Sequence, residues 1–368
     1  MSHLNDVPPL KIGDLEIKIP IIQGGMGVRV SAAELAAAVS NAGGLGVVAS
    51  VGTGEEWPDR TIDYVTRSAL SLKEMLEQAK SSTYNPIGVN IMCALNNYES
   101  LVKTSVAVGV AAIISGAGLP LKLPELVGES ATKLIPVVSS GRATDLICRT
   151  WARRYQRLPD AFVVEGKMAG GHLGLKMEEA QSGEGADLEK VVQDVLQAVA
   201  PYASEKNIPV IAAGGIFDGK DIARFLRLGA SGVQMGTRFV GTEECDAADE
   251  FKETYINCRK EDVVVIKSPI GLPLRVVRNE FVDRILRGER IDFKCQYQCL
   301  APCNPAKTQY CVADAMVNAY RGNMKKGFAT CGANAYRVNK IVPVRELMDE
   351  LVVETAEELQ SPSPENHS

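Results

Sequence analysis

The chain has 368 residues, 46% of them apolar and 23% charged, with a formal net charge of −5. That balance suits a globular protein with a large buried core, and the mild negative charge argues against broad electrostatic binding to nucleic acid or anionic membrane. No apolar run approaches the roughly 20 residues of a membrane span, and the N-terminal stretch lacks the basic start and apolar core of a signal peptide, so the expected location is the cytoplasm.

Short runs rich in Val and Ile recur along the chain: IPIIQ (19–23), LGVVAS (45–50), PIGVNIM (86–92), AAIIS (111–115), LIPVVS (134–139), AFVVE (161–165), IPVIAA (208–213) and SGVQM (231–235). Their hydrophobicity is continuous rather than alternating, which suits strands buried on both faces of a parallel sheet. Helical patterns lie between them. SAAELAAAVSNAGG (31–44) has an N-cap serine and a glycine stop. YESLVKTSVAVG, ATDLICRTWARRYQ, LEKVVQDVLQAVAPYASEKN and GKDIARFLRLGA repeat the theme. Eight strands alternating with helices predict an α/β fold, a (β/α)₈ TIM barrel, with a doubly wound open sheet as the rival.

The pattern breaks after Gly241. The expected organisation is a barrel over residues 1–241, an inserted lid subdomain over 242–310 and C-terminal helices over 311–356 that return to the barrel. A flexible tail over 357–368 follows. Within the insertion, DAADEFKETYIN reads as a helix, VVVIKS as a strand, and the stretch around Gly271 and Pro273 as a loop.

The C-terminal ends of barrel strands carry active sites. Here those ends read GGMG, VGTG, Asn90, SGAG, SSGR, EGKMAGGHLG, GGIFDG and GTRF. So many glycines let backbone approach a flat or phosphorylated ligand closely. The loops after the seventh and eighth strands are the usual place for a phosphate, and a helix beginning near Asp218–Asp221 is expected to offer its amides. The chain has three histidines, and His172 alone is internal, set in a glycine loop just after a strand. An imidazole moves protons near neutrality, so His172 is the candidate catalytic residue. Lys167 and Arg142 sit on neighbouring loops as weaker candidates for anion contact.

The motifs QGGMG, PIGVNIM, IISGAGLP, EGKMAGGHLG, IPVIAAGGI and VQMGTRF, in this order, resemble the nitronate monooxygenase (2-nitropropane dioxygenase-like) flavoprotein family, which includes the FMN-dependent enoyl-acyl carrier protein reductases. The resemblance implies FMN across the barrel mouth. By position, Gly25 and Met26 would line the flavin ring, and Asn90 and Glu165 would hydrogen-bond the ring or its ribityl chain. Gly170 and Gly171 would allow close backbone approach, and Gly214, Gly215, Gln234, Met235, Gly236 and Thr237 would hold the phosphate. Many monooxygenase members carry glutamine where this chain has Glu165, and the acid resembles the enoyl reductases.

The activity implied first is oxidation of alkyl nitronates by O₂ to a carbonyl compound and nitrite. The alternatives are an NAD(P)H-dependent reductase of enoyl thioesters or quinones, and a non-catalytic flavin binder. His172 serves either chemistry, since the flavin carries the electrons in both. The expected partners are a small-molecule substrate and a second copy of the chain in a homodimer.

There are nine cysteines. Cys295, Cys299, Cys303 and Cys311 are spaced C-x3-C-x3-C-x7-C, with Cys331 beyond. Such thiolates are candidates for zinc or an iron–sulfur cluster, although the spacing matches neither the common zinc pairs nor ferredoxin runs. The competing reading is no metal, with the thiols simply packed in the lid.

Overall fold

The computed structural model describes residues 6–361. Two short strands, β1 (Leu10–Ile12) and β2 (Leu15–Ile17), form an antiparallel hairpin ahead of the barrel. Eight parallel strands follow: β3 (Ile21–Gln23), β4 (Gly46–Ala49), β5 (Ile87–Met92), β6 (Ala112–Gly116), β7 (Lys133–Val138), β8 (Phe162–Glu165), β10 (Val210–Ala213) and β11 (Gly232–Met235). Each predicted apolar run is one of these strands. Their order is β3-β11-β10-β8-β7-β6-β5-β4. The ring closes between β3 and β4, where the Gln23 amide donates to the Leu45 carbonyl at 3.0 Å and the Leu45 amide to the Ile21 carbonyl at 3.0 Å. The sheet is therefore a barrel and not an open, doubly wound layer.

Inward-facing Ile22, Val47, Ile114, Ile135, Val163 and Ile211 are fully or almost fully buried and form one cluster with Leu10, Ile12 and Ile17 of the hairpin. The hairpin thus plugs the barrel floor. The larger core lies between the sheet and its helices, which include Ala33–Asn41, Tyr98–Val108, Gly141–Tyr155, Leu188–Val199 and Gly219–Arg227. The longest, Tyr64–Ser81, is absent from the sequence reading. Its polar stretches mask a buried stripe of Leu72, Met75, Leu76 and Ala79, spaced as one helix face demands.

Beyond β11 the chain forms an antiparallel hairpin of β12 (Val263–Lys267) and β13 (Pro273–Val277). The expected loop at Pro273 is a strand: proline opens β13, where its missing amide costs least. This hairpin gains a third strand from the barrel's own mouth. Gly171 and His172 form β9, which pairs with Arg275 and Leu274. Asp246 also reaches back across the fold and accepts hydrogen bonds from the amides of Ala32, Glu34 and Leu35, capping the first barrel helix. Burial holds the Asp246 carboxyl up at about 6.

Helix Val344–Gln360 packs against Gly219–Arg227 and Ala33–Asn41. At Gly219 a Cβ would stand 2.3 Å from Glu354 Cβ, so glycine is what lets the two helices meet. The helix runs to Gln360, past the expected boundary at 356. Leu351, Val352, Thr355 and Ala356 continue its buried face, and Arg227 anchors Glu358 at 3.2 Å. The remainder of the expected tail, 362–368, lies outside the described residues. No helix among the described residues is long and apolar enough to cross a membrane.

Candidate active site

The C-terminal ends of the barrel strands open into a cavity of about 470 Å³, within the usual size range of cofactor and substrate sites. His172, Gly25, Met26, Asn90, Glu165, Gly170, Gly171, Gly214, Gly215, Gln234, Met235, Gly236 and Thr237 all line it. Lys167 and Arg142 do not. Lys167 is ion-paired to Asp187 at 2.9 Å, and Arg142 is exposed on the helix after β7.

On one wall, the loop after β3 lies against β5. A Cβ at Gly25 would stand 2.3 Å from Asn90 Cβ, so only glycine allows this backbone to pass. Opposite, Gly214 and Gly215 adopt positive φ of 96° and 87°, and Cβ atoms there would stand 3.0 and 2.9 Å from Ala169 and Met168. The turn after β10 is therefore pressed onto the glycine loop that carries His172.

The helix Gly219–Arg227 does not supply the expected phosphate amides. Asp218 caps it, accepting from the Asp221 amide at 3.0 Å. The Gly219 amide donates to Glu354 at 2.8 Å, and the Phe217 amide to Asp221 at 3.0 Å. Arg337 then neutralises Asp218 at 2.7 Å. A capped helix start and an anion site share a sequence signature, and here the protein's own carboxylates occupy the donors.

Glu165 and His172 are the ionisable pair of the site. Glu165 ends β8 and has no ion pair among the described residues. Burial pushes its carboxyl up to about 7. His172 is held in β9, and burial pushes its imidazole down to about 4. Desolvation disfavours the charged form of both. His172 Nε2 and Gln234 Oε1 are buried with no hydrogen-bond partner, and such atoms are costly unless a ligand completes them. No Lys or Arg lines the cavity among the described residues; Met168, Leu272, Leu274, Leu300 and Met316 supply apolar wall.

Two features were not found from sequence. Arg275, only 7% exposed, donates to the carbonyl of Lys167 at 2.9 Å and to that of Ala169. It thereby fixes the loop that leads to His172. The segment Gly332–Asn334 closes the corner beside Thr237. The Gly332 amide donates to Thr237 Oγ1 at 2.9 Å, and Asn334 Nδ2 donates to the Gly215 carbonyl at 2.6 Å. A Gly and an Asn in TCGANAYR were the available signal, but nothing local ties them to a strand more than 90 residues earlier.

A flat cofactor with a polar edge and a phosphate tail fits this cavity. Its volume suffices, its walls are mostly apolar, glycine backbone replaces side chains on two sides, and the unpartnered Gln234 and His172 atoms await polar partners. Single-ion metal binding finds no such support: among the described residues no three His, Cys, Asp or Glu side chains close around one ion. The cysteines are free thiols.

Comparison with known proteins agrees with this geometry. The family described as nitronate monooxygenase matches residues 9–354. The chain is 31% identical to a Mycobacterium tuberculosis protein named (3aS,4S,5R,7aS)-5-hydroxy-7a-methyl-1-oxo-octahydro-1H-indene-4-carboxyl-CoA dehydrogenase, over 74% of this chain and 67% of that protein. It is 27% identical to a probable nitronate monooxygenase of Staphylococcus aureus, over 91% of this chain and 96% of that one. Among solved structures, FabK from Thermotoga maritima superposes with a TM-score of 0.73 at 30% identity, covering 94% of both chains. The chain belongs to the nitronate monooxygenase family, whose cofactor is FMN, and it is an oxidoreductase.

Proposed function

We propose that the protein is an FMN-dependent oxidoreductase whose reacting group is neutral and largely apolar, exchanging a hydride at the carbon β to an activating carbonyl and a proton at the carbon α to it. One observation carries this reading: among the described residues no cationic side chain lines the cavity, and Glu165 and His172 both lean to their neutral forms. A reacting group that carries negative charge loses its hydration beside Glu165 and His172 and meets no fixed positive charge there, whereas the FMN phosphate would be met by the glycine backbone of its own corner.

When bound, FMN supplies the ring that accepts or delivers the electrons. The chain's residues do the rest. Gly25 and Asn90 shape one wall, and the corner formed by Gly214, Gly215, Gly236 and Thr237 takes the phosphate. Neutral His172, with Nε2 free, accepts a proton from the substrate carbon or returns one. Glu165 below about pH 7 donates a hydrogen bond instead of carrying charge. The hairpin β12–β13 brings Leu272 and Leu274 over the cavity and acts as a lid that keeps water from the reacting atoms. NAD(P)H is the proposed reductant.

The second reading is nitronate oxidation, favoured by the family match and the staphylococcal relatives. In it the substrate enters as the neutral nitroalkane and His172 removes its proton.

An anaerobic stopped-flow experiment on the FMN-loaded protein separates the two. The first reading expects flavin absorbance to bleach rapidly with NADH or NADPH and to recover on adding an enoyl thioester. Bleaching by 1-nitropropane, with indifference to NAD(P)H and thioester, would overturn it in favour of the second.

A further inference from the structure

Four thiols that play no part in the reaction above converge on one place. Cys295, Cys299, Cys303 and Cys311 all line a second pocket, of about 110 Å³. Cys299, Leu300 and Val312 line both this pocket and the main cavity, so one layer of side chains separates the two. The loop carrying the thiols is tied down at both ends. The Asn96 amide donates to the Cys299 carbonyl at 3.0 Å, and the Ala301 amide to the Ala94 carbonyl at 2.9 Å, docking it on the loop after β5. At the other end, Gln309 Nε2 donates to the carbonyls of Ile285 and Glu289 at 2.7 Å each.

Size and chemistry narrow the occupant. A water needs roughly 10–15 Å³ by this measure and two or more polar partners. This pocket is several times larger, and four of its walls are sulfur. No Asp, Glu, Lys or Arg lines it among the described residues, so a soft ligand set stands without hard competitors. The sulfurs do not close around a single ion, which excludes a tetrahedral zinc site of the usual kind. A polynuclear cluster instead shares its thiolates among several irons, so the sulfurs stand farther apart around a larger body.

We propose that Cys295, Cys299, Cys303 and Cys311 are the four thiolate ligands of an iron–sulfur cluster seated in this pocket, one wall away from the main cavity. The inference concerns binding and does not depend on which substrate the main cavity takes.

The test uses the full chain purified without oxygen, incubated with ferrous iron and sulfide, and desalted. Iron, acid-labile sulfide and zinc are then measured, and an EPR spectrum is taken after dithionite reduction. The expected result is iron and sulfide in equal amounts with a reduced-cluster signal. Cys295→Ser and Cys303→Ser should each lower both contents by about tenfold or more, with flavin content and circular dichroism unchanged, while Cys93→Ser should lower neither. Retention of no iron or sulfide, zinc in their place, or full iron in the two serine variants would each overturn the proposal. Alkylation mapping gives a reading free of variants. The four thiols should be labelled only after a chelator strips the iron, and labelling indifferent to iron would overturn the assignment.

Discussion

Replacing Glu165 by glutamine isolates the effect of burying its carboxyl. The folded protein holds this group at about 7 against an ordinary value of 4.5, because it ends β8 inside the cavity with no cation beside it. Between those two values the unfolded chain has released the proton and the folded chain keeps it, so stability falls as pH rises. The full difference, 7 − 4.5 = 2.5 units, corresponds to about 3 kcal/mol at 1.36 kcal/mol per unit. Glutamine keeps the shape and cannot ionise. The stability gap between E165Q and the wild type, in favour of E165Q, should therefore widen by about 3 kcal/mol between pH 4 and pH 8. Taking the difference between variants cancels the opposite trend of His172, whose depressed value makes stability rise with pH between about 4 and 6.5. Urea denaturation of the flavin-free protein, followed through buried Trp151, measures it. A gap that stays constant across this range would show that Glu165 titrates as an ordinary exposed acid, and would remove the neutral-cavity argument.

The other predictions are more local. His172→Ala should lower turnover by about 10²–10⁴-fold while FMN stays bound; because the imidazole is held near 4, the rate of the Glu165→Gln variant, freed of the carboxyl that titrates near 7, should show no inflection near 6.5, and one appearing there would refute the burial reading. Gly25→Ala places a Cβ 2.3 Å from that of Asn90, so it should destabilise by about 1–3 kcal/mol and lose flavin on gel filtration, with melting temperature partly restored by adding Asn90→Gly, which removes the clashing Cβ. Arg275→Met strips donors from the carbonyls of Lys167 and Ala169, which should cost about 2 kcal/mol and raise hydrogen exchange across 167–172, and unchanged exchange there would refute its role.

The eight barrel strands were legible because each is buried on both faces, and burial writes itself into sequence as an unbroken Val/Ile run. The site glycines and His172 were legible because each lies within a few residues of a strand end. What escaped was written in pairs distant along the chain. β13 begins with proline and follows a Gly-containing turn, and its pairing with β12 on one edge is joined on the other by Gly171 and His172, a hundred residues earlier. The arginine in PLRVV looked like a surface charge, and only the carbonyls above it explain why it is buried. The Asp218–Asp221 turn misled for the opposite reason. Its local signature is genuine, but Glu354 and Arg337, which use up its donors and charge, arrive from the far end of the chain.

β13 shows how this family core can keep one cofactor while its substrate changes. One edge of the strand pairs with His172 and fixes where the imidazole lies. Arg275 from the same strand holds the loop before it, and Leu274 lines the cavity. Through the Arg275 carbonyl, which accepts from the Cys331 amide at 3.1 Å, the strand also steadies the Gly332–Asn334 segment that closes the corner beside Gly215 and Thr237. The turn that feeds it carries exposed Leu272 beside Gly271, whose φ of 85° favours glycine, so Leu272 is the position of the turn free to change. Changes confined to this turn therefore alter what the cavity admits without moving His172 or the wall formed by Gly25 and Asn90. Replacing Leu272 should shift KM between short and bulky substrates while leaving the flavin's rate of reduction by NAD(P)H within a few-fold, since the register that holds His172 begins only at Leu274.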